Sequence, residues 1–253
     1  MSLLKSCAIA IAMYSKIPMP QFEWEEKEMR YAVCFFPLVG VAIGALTCLW
    51  YFIAVWFSVG VLCFALVGTA IPLLVTGGMH MDGYMDTMDA LHSYRSVEEK
   101  LRILKDPHIG AFSVLTLVIY LLIYIGAYSQ IFTMREAGIL GVGFILSRCL
   151  SGNALVTLPL AKREGLLFTF SDSADKTVVQ VVLCIEAIVC AVLMIWLSVS
   201  TGVVLLAGAV LMFLWYRWKS NKEFGGITGD TEGWFLALME CWFVIGIAIV
   251  GKF

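Results

Sequence analysis

The chain alternates between long apolar stretches and short polar segments along its whole length. Seven stretches are apolar all round and approach the roughly 20 residues that an α-helix needs to cross a bilayer. A soluble protein with buried helices would instead show polar faces within such runs. The pattern therefore predicts an all-α, polytopic transmembrane helix bundle of about seven spans. The predicted spans are residues 31–57, 60–76, 111–131, 138–160, 178–198, 202–217 and 232–251.

Composition and charge agree with a membrane protein and orient it. Hydrophobic residues make up 61% of the chain and charged residues 14%, against about 25% charged residues in soluble domains. With the N-terminus inside, fourteen of the seventeen Lys and Arg residues fall in inner segments, and only Arg135 and Lys252 fall outside. Since positive charge stays on the cytoplasmic side, we expect the N-terminus in and the C-terminus out. We expect one integral domain, 1–253, in the cell membrane, with its active site on the cytoplasmic segments 77–110, 161–177 and 217–231.

Three further features of the sequence bear on the bundle itself. The apolar core of residues 1–20 has no convincing cleavage site, which predicts an interfacial or re-entrant helix packed on the bundle; a retained signal anchor is the alternative. The eight cysteines lie in apolar context without a C-x-x-C pair, so we expect free thiols and no zinc site. Arg148, Glu186 and Glu240 lie within spans, where charges usually pair, and a structural pair of Arg148 with a glutamate is expected.

Three aspartates follow the second predicted span within the segment HMDGYMDTMDAL at 80–91. On a helix, Asp82, Asp86 and Asp89 share one face, where like charges repel unless a cation lies among them. Proteins commonly bind Mg²⁺ through a few carboxylates and the phosphates of a substrate. We therefore predict a Mg²⁺ site on these three residues. The alternative, a solvated acidic face, fits poorly with the apolar side chains around the acids.

Cations and a glycine-rich loop lie on the same predicted side of the membrane as the aspartates. Arg102 and Lys105 suit an anionic, phosphate-bearing substrate, although the positive-inside rule accounts for inner cations as well. The segment FGGITGDTEG at 224–233 precedes the last span. Its backbone N–H groups can form an anion-binding nest at a helix N-terminus.

Four segments, in chain order, resemble motifs of the cobalamin synthase family, which are integral membrane adenosylcobinamide-GDP ribazoletransferases. They are GGMHMDGYMDTMDAL at 77–91, LKDPHIGAF at 104–112, LSRCLSG at 146–152 with AKREGL at 161–166, and FGGITGD at 224–230. The resemblance implies Mg²⁺-dependent transfer of the adenosylcobinamide-phosphoryl group from adenosylcobinamide-GDP to α-ribazole or α-ribazole 5′-phosphate. GMP is released, and the step is the last assembly step of cobalamin biosynthesis.

The resemblance also implies roles for single residues. Asp82, Asp86 and Asp89 would hold the metal. By analogy with other aspartate-cluster phosphotransferases, Asp89 would also be the general base, with His80 as a catalytic hydrogen-bonding or phosphate-binding residue. The expected substrate and phosphate contacts are Arg102, Lys105, Arg148, Gly226, Thr228, Gly229 and Asp230. The sequence departs from the family pattern at Ala90, at Pro107-His108 and at Thr231-Glu232.

Two other classes of function are compatible with a helical membrane protein. A secondary transporter could use clustered aspartates for cation coupling, but transporters usually bind near the bilayer midplane and often carry internal repeats. Here the acids lie at one membrane face and no repeat is visible. A purely structural subunit would not need three clustered aspartates. The expected partners are the two substrates and the lipid bilayer, without nucleic acid, and a homo-oligomer is left open.

Overall fold

The computed structural model describes residues 2–20, 22 and 24–251, and it is helical through most of its length. The first helices are α1 (Ser2–Tyr14), α2 (Glu26–Met29), α3 (Pro37–Trp56), α4 (Val61–Thr76), α5 (Met79–His92) and α6 (Val97–Ile103). They are followed by α7 (Ala111–Tyr128), α8 (Met134–Thr157), α9 (Leu166–Ser173), α10 (Lys176–Leu197), α11 (Val199–Phe224) and α12 (Gly229–Val250). A 3₁₀ turn, Ala32–Phe35, leads into α3. The described part of the chain contains no β-strand, only an isolated parallel bridge between Leu160 and Ile227.

Six helical segments are long and apolar enough to cross a membrane: α3 with its 3₁₀ turn, α7, α8, α10, α11 and α12. A seventh span results if α4 and α5, which meet at a bend of 93°, are taken together. A helix satisfies its own backbone hydrogen bonds, which is why apolar segments of this length adopt it in a bilayer. The predicted all-α transmembrane bundle of about seven spans is thus confirmed.

Helix α8 lies at the centre of the bundle and packs against α3, α10 and α12. Its side chains Ile139, Leu140 and Phe144 are fully buried. The helix begins with a capping box, in which Thr133 accepts from the backbone N–H of Glu136 while the Glu136 carboxylate accepts from that of Thr133. The surrounding helices α7, α10 and α11 are mostly exposed to the outside, as lipid-facing helices are expected to be.

The predicted span 202–217 differs most from the structure, because α11 runs from Val199 to Phe224. Ser198 caps its N-terminus by accepting from Thr201, and the chain leaves the helix at Gly225, whose φ is 73°. The last two turns carry polar and charged residues, which hydropathy alone reads as a loop. Lys219 and Glu223 form an i, i+4 ion pair at 3.0 Å in this part of the helix, so the charged residues support the helix and do not end it.

The polar segments between the spans are also largely helical. Segment 77–110 contains α5 and α6, and segment 161–177 contains α9. Ser96 caps α6 by accepting from the backbone N–H of Glu99, which gives a short helix a defined start. The N-terminal helix α1 packs on this end of the bundle, where the ring of Tyr14 lies 4.0 Å from that of Phe36. All eight cysteines are free thiols, as expected.

The bend between α4 and α5 comes from two consecutive glycines. Gly77 and Gly78 have φ angles of 65° and 79°, in the left-handed region that other residues avoid. The N–H of Gly78 donates to the carbonyl of Leu73 at 2.9 Å, and the N–H of Gly77 donates to Leu74 at 3.3 Å. These bonds close the end of α4. The chain then turns through 93°, and α5 carries the aspartates across the end of the bundle.

Candidate active site

Helices α5 and α12 cross in direct backbone contact, and this crossing builds the site. A Cβ atom on Gly83 would lie 2.7 Å from the carbonyl oxygen of Asp230, and one on Gly233 would lie 2.9 Å from that of His80. Any side chain at these two positions would force the helices apart, since real contacts of this kind are not that short. The glycine within the aspartate motif therefore serves close helix packing.

The crossing brings together aspartates that are far apart in the sequence. The Asp86 carboxylate interacts electrostatically with those of Asp82, Asp89 and Asp230. Asp82 is exposed, whereas Asp86 and Asp230 are half-buried. Neighbouring carboxylates repel one another, so the arrangement favours a cation or positively charged ligand between α5 and the start of α12.

Asp89 differs from the other two predicted metal ligands in its contacts. Its carboxylate accepts from the backbone N–H of Gly110 at 2.7 Å, from the backbone N–H of Ser113 at 2.9 Å and from the Ser113 hydroxyl. These donors form the N-terminus of α7, where negative charge is favoured. In this arrangement Asp89 joins α5 to α7.

The described side chains contain no ready-made cluster of three or more His, Cys, Asp or Glu residues arranged to hold a metal ion. Mg²⁺ usually takes one or two carboxylates from the protein and completes its shell with water and substrate phosphates, and the Mg²⁺ site stays a prediction. Asp82 lines the inner cavity and Asp230 lines both cavities, and the Asp86 carboxylate interacts electrostatically with both of them. A metal site on this chain would therefore need the substrate to complete it.

Two adjoining cavities open beside the aspartates. The first, which we call the inner cavity, has a volume of about 250 Å³ and the second, the outer cavity, about 480 Å³. The inner cavity includes Tyr14, Phe36, His80, Asp82, Ser151, Leu155, Asp230, Glu232 and Leu236 in its wall. The outer cavity includes Lys105, Lys162, Glu164, Ile227 and Thr228. Both share Leu166, Leu167, Gly229 and Asp230, so the two cavities lie next to each other and together form the cleft of the site.

Two lysines supply positive charge to the outer cavity. Lys105 forms an ion pair with Glu164 at 2.5 Å, and both side chains are more than half exposed. The hydrogen bond from Lys105 and its positive charge hold the pKa of Glu164 below its usual range. Lys162 donates to the carbonyl of Leu101 at 3.0 Å, and burial followed by the nearby charge of Lys105 lowers its pKa. An exposed ion pair is weak, so Lys105 is available to an anionic substrate. Arg102 is exposed and lines neither cavity.

The glycine-rich loop is fixed to the end of α8. The N–H of Ile227 donates to the carbonyl of Pro159, and the N–H of Ala161 donates to that of Ile227, each at 2.9 Å. Thr228 then caps α12 by accepting from the backbone N–H of Thr231. Gly229, the first residue of α12, has open space where a side chain would be. The predicted anion site at the start of the last span therefore opens into both cavities.

Arg148 lies within the bundle, apart from both cavities. Its guanidinium is fully buried, forms an ion pair with Glu240 at 2.5 Å and donates to the hydroxyl of Ser147 at 2.9 Å. The predicted intramembrane pair of Arg148 with a glutamate is confirmed. Substrate contact by Arg148 stays a prediction. Arg148 interacts electrostatically with His80, which lines the inner cavity.

Sequence reasoning missed four polar residues that the structure places at the site. Ser113 binds Asp89. Ser151 and Tyr216 both donate to the carboxylate of Glu232, which is buried in the wall of the inner cavity. The only sequence signal for Glu232 was its departure from the family pattern two residues after Asp230. Ser113 and Tyr216 lie in apolar helices, where nothing local distinguishes them, and Ser151 lies within the LSRCLSG motif without being singled out there.

Comparisons with known proteins agree with the resemblance found in the motifs. The profile of the family described as cobalamin-5-phosphate synthase matches residues 6–248. The adenosylcobinamide-GDP ribazoletransferase of Lachnoclostridium phytofermentans is 43% identical over 250 residues, covering 99% of this chain and 95% of that relative. The protein of the same name from Clostridium perfringens is 32% identical over 248 residues, covering 98% and 97%. No solved structure shows a significant match.

Proposed function

Because the chain belongs to the cobalamin-5-phosphate synthase family, we propose that it transfers the adenosylcobinamide-phosphoryl group from adenosylcobinamide-GDP. The acceptor is α-ribazole or its 5′-phosphate. A hydroxyl oxygen of the acceptor forms a bond to the phosphorus that carries cobinamide and gives up its proton to a base, the role expected of Asp89 from the sequence. The bridging P–O bond to the second phosphate breaks, and GMP leaves. The names of the relatives support a ribazole transfer that uses this donor.

One observation supports this chemistry most directly. The crossing of α5 and α12 brings Asp82 and Asp86 near Asp230 at the N-terminus of α12, and Asp230 lines the outer cavity together with Lys105 and Lys162. Phosphoryl transfer needs little covalent chemistry from the protein, which mainly positions the phosphates and neutralises their charge. The cleft combines both requirements, with acids for a cation and cations for the phosphates.

We propose that Asp82 and Asp86 would hold Mg²⁺ together with the substrate phosphates; the metal role expected of Asp89 stays a prediction. Bound Mg²⁺ neutralises charge on the phosphates and on the leaving group. Lys105 and Lys162 bind non-bridging phosphate oxygens, and the open N–H groups at Gly229 add to this site. His80, next to Asp82 in the inner cavity wall, donates a hydrogen bond to the phosphate of the leaving group.

The test is a turnover assay on purified protein with adenosylcobinamide-GDP and ribazole phosphate, with and without Mg²⁺. Asp82→Asn and Asp86→Asn keep the side-chain shape but remove the charge. We expect turnover to fall by about 10²–10³-fold, the usual cost of losing one charge-stabilising group, and the Mg²⁺ requirement to rise. Asp172→Asn, the same change at an exposed position of α9, is the matched control and should retain activity.

Two results would decide against parts of this proposal. Full activity in a metal chelator would remove the Mg²⁺ site while leaving the transfer reaction intact. Folded protein that shows no transfer with either acceptor, at any Mg²⁺ concentration, would contradict the reaction itself.

A further inference from the structure

The inner cavity contains one polar group that the proposed transfer step does not use, the carboxylate of Glu232. It is 6% exposed. The Ser151 hydroxyl donates to its Oε2, and the Tyr216 hydroxyl donates to its Oε1 at 3.1 Å. Much of the remaining lining is apolar and partly aromatic, with Tyr14, Phe36, Met13, Leu155 and Leu236. The cavity is therefore an apolar slot with a hydrogen-bond acceptor fixed at one wall.

A buried carboxylate is costly unless hydrogen-bond donors compensate it. Each carboxylate oxygen can accept two hydrogen bonds, and Ser151 and Tyr216 supply one to each oxygen of Glu232. Because Glu232 lines the cavity, its remaining acceptor positions are available to a ligand there. The two donors also fix the orientation of the carboxylate. The slot thus selects a flat, apolar ring that presents hydrogen-bond donors at its edge.

Four ring systems take part in the proposed reaction, and their chemistry separates them. The adenine of the adenosyl group has a single amino donor, flanked by ring nitrogens that are acceptors, so it offers a carboxylate no second donor. The corrin macrocycle is too large, because even drug-sized ligands occupy pockets of roughly 300–1,000 Å³, whereas this cavity has about 250 Å³. The base of ribazole is a benzimidazole joined to ribose through one ring nitrogen. Its other ring nitrogen is an acceptor, and it has no donor for a carboxylate. Guanine presents N1–H and the N2 amino group side by side.

We propose that the inner cavity binds the guanine of the donor substrate, and that Glu232 recognises it by accepting from N1–H and the N2 amino group. This inference rests on the proposed function, in which a GDP ester is the donor. It makes Glu232 a specificity-determining residue for the nucleotide, held in place by Ser151 and Tyr216.

The position of the cavity agrees with the order of groups in the donor. Glu232 and Asp230 lie in the first turn of α12, and Asp230 belongs to both cavities. A nucleotide whose base contacts Glu232 directs its phosphates toward Asp82, Asp230 and the N-terminus of α12. The cobinamide side then extends into the outer cavity with Lys105 and Lys162. In this orientation GMP leaves toward the inner cavity, and an in-line displacement then requires the acceptor to approach the phosphorus from the opposite side.

The first measurement uses the unaltered chain, purified in detergent with Mg²⁺, and equilibrium dialysis of GMP, IMP and AMP. IMP keeps N1–H but lacks the N2 amino group, and AMP lacks both of these donors. We expect GMP to bind most tightly, IMP less tightly and AMP about 10–100-fold more weakly than GMP, the usual range for hydrogen bonds to a charged group. Equal binding of GMP and AMP would overturn the proposal without requiring any variant.

The second measurement assigns the preference to Glu232. Glu232→Gln should abolish the discrimination between GMP and AMP and raise KM for adenosylcobinamide-GDP, with KM for ribazole phosphate unchanged. Glu186→Gln is the matched control, since Glu186 is a half-buried carboxyl within α10 that lines neither cavity. Tyr216→Phe, which keeps the carboxylate but removes one of its donors, should weaken the discrimination only partly.

The outcomes separate this inference from the proposed function. A guanine preference that disappears in Glu232→Gln supports the guanine site even if no ribazole transfer occurs, and in that case the proposed reaction alone fails. Normal transfer without any preference for guanine overturns the site alone. If Glu232→Gln raises KM for ribazole phosphate and leaves nucleotide binding unaffected, the inner cavity binds the acceptor, and the guanine site is overturned as well.

Discussion

The three aspartates of α5 share one helical face but have different surroundings. Asp82 faces the inner cavity, and Asp86 lies among other carboxylates. Asp89 is bound by backbone N–H groups at the start of α7. The shared face followed from the spacing in the sequence. The separate environments did not, because the donors to Asp89 come from residues 110–113, whose approach to α5 depends on the tertiary fold.

Replacement of Asp89 by asparagine tests whether this residue anchors α7 or takes part in the reaction. Both carboxylate oxygens of Asp89 accept hydrogen bonds. An asparagine amide has only one oxygen that can accept, and its NH₂ group would face a donor. We expect a loss of about 1–3 kcal/mol of stability, as for other broken hydrogen bonds to buried charged groups, seen as a lower melting temperature in detergent. Asp172→Asn serves again as the exposed control. Lost turnover with an unchanged melting temperature would instead favour Asp89 as the general base, the role expected from the sequence.

Among the elements, the pair α5 and α12 determines the geometry of the site. The apolar pattern predicted α12 closely, and the aspartate spacing suggested the helix that is α5. What the pattern could not show is the sharp turn at Gly77 and Gly78 that directs α5 across the bundle. The two glycines indicated unusual backbone there, but not its direction. The crossing point is also hidden in the sequence, because Gly83 and Gly233 acquire meaning only when the two helices meet.

A single methyl group at this crossing should disturb the site. In Gly83→Ala the new Cβ would lie 2.7 Å from the Asp230 carbonyl oxygen, so α5 and α12 must separate. We expect about 1–3 kcal/mol of destabilisation, typical of overpacking, and a larger loss of turnover, because the aspartates move apart. Thermal unfolding and turnover are measured together.

The matched control for the crossing is Gly126→Ala in α7, where a Cβ would meet no atom within 4 Å. Alanine favours the helix over glycine, so this variant should be as stable as the original or slightly more stable. If Gly83→Ala behaves like Gly126→Ala in both measurements, then close contact between α5 and α12 is not needed for the reaction.

On the scale of the whole molecule, the predicted site segments meet at one end of the bundle. Residues within 80–83 and 227–232, together with Lys105 and Lys162, come from four separate parts of the chain, yet they line two adjoining cavities. The opposite end carries short connections, such as the turn at Ser58 between α3 and α4. Charge asymmetry in the sequence had already placed these segments on the same side, because cytoplasmic loops retain Lys and Arg. The fold shows in addition that these segments come together around the inner and outer cavities.

Cysteine labelling in intact cells tests which membrane side this end faces. On a cysteine-free background, a cysteine at Ser96, beside the site, should resist an impermeant thiol reagent, and one at Ser200, at the start of α11, should react. Both positions are exposed in the fold, so burial does not explain a difference. After the cells are lysed, the Ser96 position should become reactive, which controls for accessibility.

The positive-inside rule orients the whole bundle as a unit. Labelling of Ser96 together with protection of Ser200 would therefore show that the bundle has the opposite orientation in the membrane. Labelling of both from outside would show that an odd number of crossings does not separate them, contrary to the predicted arrangement of spans.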